Sequence, residues 1–289
     1  MQTNRHTTHS SFLKPQHQGQ VLINRLINLR PLFFGAVFVF SSAAFADLKI
    51  AVIDTGFCSE KAVVKFKNHK VLPARDMTGT NGMDCKKITA KEMLSSGRFH
   101  GQKVLNEFLS YLPETISVTI SPIVVYDRTG NQSEAGWRNA INAIEKEKID
   151  MVLTASGFIN SEKLAEELPG IWFVPSGRLQ RSIDSKTILF PQNLAPKPNL
   201  FVIGDYVDEG KQIIYDQALT YQDQIDYYFP SGNKKFTGTS RAVSEAMARA
   251  LAKCFIEKDI IAAHTLRLCL LQKEKTLKDR ILKREFKTF

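Results

Sequence analysis

Three short segments hold the residues best able to do chemistry: Val52-Ile53-Asp54-Thr55-Gly56, His100-Gly101-Gln102-Lys103-Val104 and Gly238-Thr239-Ser240-Arg241-Ala242. A hydroxyl, an imidazole and a carboxylate brought together make a nucleophilic triad. The Ser240 hydroxyl is a weak nucleophile until a base takes its proton. His100 is that base, and then the acid that protonates the leaving group. Asp54 holds the imidazole in the right tautomer and stabilises the imidazolium. Taken singly, each residue has a plain structural role: Asp54 caps a loop, His100 sits on a surface or a helix end, and Ser240 is an N-cap. The joint pattern argues against those roles. Of the three histidines after residue 46, His69 and His264 lack a comparable setting.

The flanking sequence predicts the elements that must position these groups. Lys49-Ile50-Ala51-Val52-Ile53 reads as a buried strand, and Thr55-Gly56 turns the chain, leaving Asp54 at the strand's carboxyl end. His100 precedes Gly101 and a helical pattern, Val104, Phe108, Leu109 and Leu112. Ser240 follows a Gly-Thr turn and opens an alanine-rich helix, where unbonded N–H groups favour developing negative charge. Strands are predicted at 48–53, 116–126, 150–155, 171–175 and 199–204. These are short apolar runs without strict alternation, as strands buried on both faces require. Helices are predicted at 101–112, 134–148, 160–168 and 240–257, with one or two more over 259–285. This alternation predicts an α/β fold with a doubly wound, mostly parallel sheet and helices on both faces. The stretch 57–99 reads as a surface excursion and 178–198 as a loop. Within 205–235, an antiparallel hairpin of 211–215 with 224–229 is predicted.

All three segments, in the order Asp, His, Ser, resemble the subtilisin-like serine peptidases (subtilases). Chymotrypsin-like enzymes run His, Asp, Ser and the α/β-hydrolases Ser, Asp, His. Further stretches are similar to the family. Asp150 to Gly157 resembles the strand ending in Ser-x-Gly whose backbone pairs with substrate, although here Ser156 meets Gly157 directly. Pro169 to Arg178 resembles the strand that ends in Gly-Asn, and Asn199 to Gly204 the strand after it. The likeness covers most of 48–256. It implies the subtilisin-like three-layer fold and hydrolysis of a protein or peptide chain through an acyl-enzyme. It implies Ser156 and Gly157 as substrate-binding residues, and no required cofactor. Calcium sites are common in the family, but none can be assigned here residue by residue.

The chain also departs from the family. Arg178 stands where the family has its oxyanion-hole Asn, and loss of one such donor costs on the order of 10²–10³ in turnover. Arg241 and Ser244 take the family's usual Met and Pro positions. Asp54 lies about seven residues past the predicted mature start, which leaves no room for an inhibitory pro-segment. Two other readings follow: a catalytically impaired subtilase-fold binding protein, or an unrelated α/β binding protein carrying chance motifs. The last requires Asp54, His100 and Ser240 to lie far apart.

Composition bounds the rest. The 289 residues are 43% hydrophobic and 24% charged, ordinary for a globular protein and unlike a collagen, coiled coil or multi-span membrane protein. Residues 1–46 contain no Asp or Glu. Arg25 and Arg30 precede the apolar run Pro31 to Phe40, and Ala44-Phe45-Ala46 closes the segment. This is the pattern of a secretory signal, with an apolar core too short for a spanning helix. The exported part is then a single peptidase-like domain, 47–289, in a bacterial periplasm or beyond. Its four cysteines, Cys58, Cys85, Cys254 and Cys269, allow three pairings, of which Cys58–Cys85 and Cys254–Cys269 close the shortest loops. No C-x-x-C spacing suggests a metal site. The net charge of +10 falls to +6 without Arg5, Lys14, Arg25 and Arg30. Much of the remainder lies in 273–289, read as the solvated face of a basic C-terminal helix over about 259–289. No nucleic-acid motif is present. Membrane contact is expected only through that tail or through an uncleaved signal.

Overall fold

Leu48–Asp54 is the strand around which the protein is built. In the computed structural model, six of its seven residues are buried. Leu48, Ile50 and Val52 enter one hydrophobic cluster, and Ala51 and Ile53 enter another on the opposite face. A strand that is apolar on both sides must be covered on both sides, so a three-layer arrangement follows. The structure describes residues 47–58, 68–80, 85, 88–89, 91–92, 96–160, 164–177, 188–208, 213–215, 224–233, 236–255, 262–278 and 285–289. All of them fall in one unit, Ala44–Phe289.

In chain order the elements are β1 (Leu48–Asp54), β2 (His69–Val71), β3 (Arg75–Asp76), α1 (His100–Tyr111), β4 (Val118–Val124), α2 (Glu134–Glu147), β5 (Met151–Thr154), β6 (Phe158–Asn160), β7 (Ile171–Pro175), β8 (Ile188–Phe190), β9 (Leu200–Asp208), β10 (Ile213–Tyr215), β11 (Tyr227–Pro230), β12 (Gly232–Asn233), β13 (Phe236–Thr237), α3 (Thr239–Ala250), α4 (Ala263–Gln272), β14 (Lys275–Lys278) and β15 (Glu285–Thr288). The main sheet runs β10-β9-β7-β5-β1-β4-β2, with β11 also on β9 and β3 also on β4. Every pairing in it is parallel except that of β10. One face is covered by α1 and α3, through Val104, Leu105, Phe108, Val243, Ala246 and Met247. The other is covered by α2, through Trp137, Ala140, Ile141 and Ile144. The α/β expectation holds, and the ends of the five predicted strands fall within four residues of those of β1, β4, β5, β7 and β9, with β7 matched at both ends.

Five expectations differ from the structure. The helix predicted at 160–168 is not formed by the described residues. Phe158–Asn160 pairs antiparallel with Ile188–Phe190, inside what was expected to be a loop. Leu164 and Leu168 are still buried, so the four-residue apolar spacing is real, but bends rather than a helix deliver it. The hairpin of 211–215 with 224–229 is replaced. β10 pairs antiparallel and β11 parallel with β9, because β9 runs longer than its neighbour β7 and offers backbone to both. The excursion 57–99 contributes β2 and β3 to the main sheet. Finally, the C-terminal helix stops at Gln272, and the basic stretch folds as the antiparallel pair β14–β15. The pairing delivers Phe289 edge-on to Tyr227 and Phe229, with ring centroids 4.7 and 5.0 Å away, a burial that alternating charge and apolar residues did not reveal. Both short-loop disulfides are present, Cys58–Cys85 and Cys254–Cys269. Among the described residues no helix is long and apolar enough to cross a membrane.

Candidate active site

Asp54 closes β1 fully buried, and two donors hold its carboxylate. The Thr55 N–H donates to Oδ1 at 2.6 Å. His100 Nδ1 lies 2.9 Å from Oδ1 and 3.0 Å from Oδ2. A carboxylate only accepts, so the Nδ1 proton faces it and Nε2 is left as the basic nitrogen. Asp54's charge raises the His100 pKa above its ordinary value near 6.5, and outweighs the opposing effect of burial.

The approach of α1 to β1 explains Gly101. A Cβ there would meet the Phe57 ring at 2.6 Å and Asp54 Cβ at 2.8 Å. Only glycine lets the first turn of α1 rest on the end of β1. Gln102, wholly buried, then locks the two together. Its N–H donates to Gly56 O at 3.1 Å, and its Oε1 accepts from Cys58 N–H at 2.8 Å. Cys58 is tied in turn to Cys85. The Phe236 ring lies edge-on to the imidazole, with ring centroids 5.7 Å apart.

Ser240 lies on the first turn of α3. Gly238 caps this helix at φ 88°, a left-handed conformation that favours glycine. The Gly238 N–H donates to Ser231 O at 2.8 Å, which fixes the turn. Among the described residues the Ser240 N–H has no hydrogen-bond partner, as the first turn of a helix dictates. The Ser240 Oγ–H donates to Ala155 O at 3.1 Å. Among the described residues no hydrogen bond joins it to His100. Such bonds are often long or misaligned in unliganded sites.

Between Ser240 and the carboxyl ends of β5 and β7 lies a cleft of about 380 Å3. Residues 155–157 follow β5 and Gly177 follows β7, so the two segments diverge where parallel strands end, the usual place for a ligand crevice. Ser156 and Gly157 both line it. Gln132, just before α2, fastens this wall: its Nε2 donates to Gly157 O at 2.6 Å and its Oε1 accepts from Ile159 N–H at 2.8 Å. Gln192 Nε2 donates to Pro175 O at 2.7 Å. Tyr126 also lines the cleft, its phenol pKa raised by burial and then by Asp54's charge.

Of the sequence-predicted residues, Asp54 and His100 are in direct contact, and Ser156, Gly157 and Ser240 line one cleft. Arg178 lies outside the described residues. Gln102, Gln132, Gln192, Tyr126 and Phe236 were missed. Tyr126, Gln132 and Gln192 lie between the longer elements, Gln102 is on α1 and Phe236 on β13, and no local pattern marks any of them as reaching the site. Among the described residues no cluster of three His, Cys, Asp or Glu is placed to hold a metal ion.

No known family profile matches the chain, and no curated protein matches it. Among solved structures, the crystal structure of a lanthipeptide protease is similar over 78% of this chain and 79% of its own, with a TM-score of 0.53 and 14% identity. At that identity the likeness is one of fold: a three-layer α/β arrangement around a mostly parallel sheet.

Proposed function

We propose that this protein is an exported, subtilisin-like serine endopeptidase that cleaves peptide bonds through an acyl-enzyme on Ser240. The observation that carries the reading is the two-oxygen contact of buried Asp54 with His100, at the strand end beside the cleft where Ser240 opens α3. In this mechanism His100 Nε2 accepts the Ser240 proton as Oγ attacks the substrate carbonyl. The Ser240 N–H, unbonded at its helix start, faces the oxyanion. The His100 imidazolium, held by Asp54, then protonates the leaving amine. Arg178 is proposed as a second oxyanion donor in place of the family's Asn. Ser156 and Gly157 are proposed to bind the substrate chain, which would have to share or displace the bonds that Thr154 Oγ1 makes to the Ser156 backbone and that Gln132 makes to Gly157 O. Two disulfides support export to an oxidising compartment after removal of residues 1–46.

A second reading is a subtilase-fold binding protein without turnover. It is favoured by the Ser240 hydroxyl donating to Ala155 O rather than to His100.

One experiment separates the two readings. The protein is recovered from the exported fraction, where its N-terminal sequence should begin at Asp47. It is then treated with a fluorophosphonate beside Ser240→Ala. Labelling of wild type alone supports the peptidase. A folded wild type that resists labelling supports the binding protein. The variant itself loses the hydroxyl's hydrogen bond to Ala155 O, which should cost about 1 kcal/mol of stability.

A further inference from the structure

The residue after the candidate nucleophile is an arginine, and its side chain joins three elements. Arg241 is nearly buried, with 11% of its side chain exposed. Its Nε ion-pairs with Glu107 Oε1 on α1 at 2.9 Å. Its Nη1 lies 2.5 Å from Glu245 Oε2 on α3, a close ion pair without hydrogen-bond alignment, and donates to Pro230 O of β11 at 2.7 Å. Its Nη2 donates to the hydroxyl of Tyr111, at the end of α1. Arg249 completes the cluster, pairing with Glu245 at 2.6 Å and lying over the Tyr111 ring. Two arginines face two glutamates, so charges that would be costly to bury unpaired are balanced. The fold makes room for this arrangement: Gly232 has φ 96°, and a Cβ there would sit 2.2 Å from Arg241 Cδ.

The ends of this cluster coincide with the candidate chemistry. α1 begins at His100 and reaches Glu107 two turns later. α3 carries Ser240 immediately before Arg241. One guanidinium therefore ties the helix of the base to the first turn of the helix of the nucleophile. A methionine, the residue usual here in the subtilases, could pack between the helices but could not hold two carboxylates and a carbonyl. Such a tie matters because an error of about 1 Å in the approach of reacting groups can cost about 10²-fold in rate.

We propose that Arg241 is a positioning residue, which sets the separation of Ser240 and His100 by clamping the start of α3 to Glu107 and Tyr111 of α1. The proposal rests on the peptidase reading, and its test is chosen to tell the two apart. Arg241→Met, Arg241→Lys and Glu107→Ala are compared with wild type. The limiting inactivation rate and the half-saturating concentration of a fluorophosphonate are measured separately, with thermal midpoints alongside. Glu107→Ala leaves Arg241 paired with Glu245 and keeps the test open if Arg241→Met does not fold. A limiting rate tenfold to a hundredfold lower in Glu107→Ala and Arg241→Met supports the clamp. The half-saturating concentration should not change, and Arg241→Lys should fall in between. A folded Glu107→Ala that reacts at the wild-type limiting rate, or that changes only the half-saturating concentration, overturns it. If wild type does not react at all, the peptidase reading fails and amide exchange decides the clamp. Faster exchange at Arg241 and Ala242 in Glu107→Ala supports it, and unchanged exchange overturns it.

Discussion

At the scale of single residues, the Asp54–His100 contact makes a signed prediction. Asp54's negative charge stabilises the imidazolium, so the neutral, basic form of His100 is lost on acidification earlier than for a free histidine. The labelling rate of Ser240 should therefore rise with pH along an ionisation whose midpoint lies above 6.5. Asp54→Asn should lower that midpoint and cut the rate, by about 10⁴-fold if Asp54 sets the tautomer as in other triads. A rate flat across neutral pH would contradict the assignment of His100. The same shift acts on stability in the opposite direction. A raised folded-state pKa stabilises the fold below the unfolded value near 6.5, and that contribution fades as pH rises through the higher folded value. The protein should thus lose this increment of stability over the range in which His100 becomes an effective base.

At the scale of elements, the site depends on how closely α1 sits on β1. Gly101 faces Asp54 Cβ and the Phe57 ring with no space for a methyl group. Gly101→Ala must displace the first turn of α1, and with it His100. Overpacking of this kind costs about 1–3 kcal/mol, set against the helix propensity that alanine adds. The expected outcome is a lower thermal midpoint together with a large loss of Ser240 labelling. An alanine variant as reactive as wild type would mean that the helix start has slack the structure does not show. The first turn of α3 has a different neighbour in Ser244, whose hydroxyl donates to Ser240 O at 2.8 Å. It is a back-bond of a serine hydroxyl to the carbonyl four residues earlier, at the position where subtilisin-like peptidases usually have a proline.

At the scale of the whole molecule, the two disulfides lie at different distances from the chemistry. Cys254–Cys269 joins the π-helical turn after α3 to α4, far along the helix from Ser240. Cys58–Cys85 anchors the loop after Asp54, and Cys58 N–H is held by Gln102 of α1. Replacing Cys254 and Cys269 by serine should cost about 3 kcal/mol for a loop of this length and leave labelling at 25 °C nearly unchanged. Replacing Cys58 and Cys85 should slow labelling as well as lower stability. Equal effects of the two pairs on labelling would show that the loop after Asp54 does not position the site. Thermal unfolding and labelling rates measured on the same preparations provide the comparison.

The division between what was legible in sequence and what was not follows from the range of the forces involved. β1, β4, β5, β7 and β9 could be read because a strand buried on both faces must be apolar throughout. α1, α2 and α3 could be read because apolar side chains repeat at helical spacing. Asp54, His100 and Ser240 stood out because each adjoins a glycine turn at an element's end, which is a local signal. The tertiary structure alone decided that Asp54 and His100 touch, and that Lys275–Lys278 and Glu285–Thr288 pair as strands, with Phe289 against Tyr227 and Phe229. It alone decided that β9 takes both β10 and β11, and that Gln132 and Arg241 carry loads between elements. Those outcomes depend on pairing between segments distant in the chain, where backbone hydrogen bonds and matched charges outweigh local propensity. No window of neighbouring residues contains both partners.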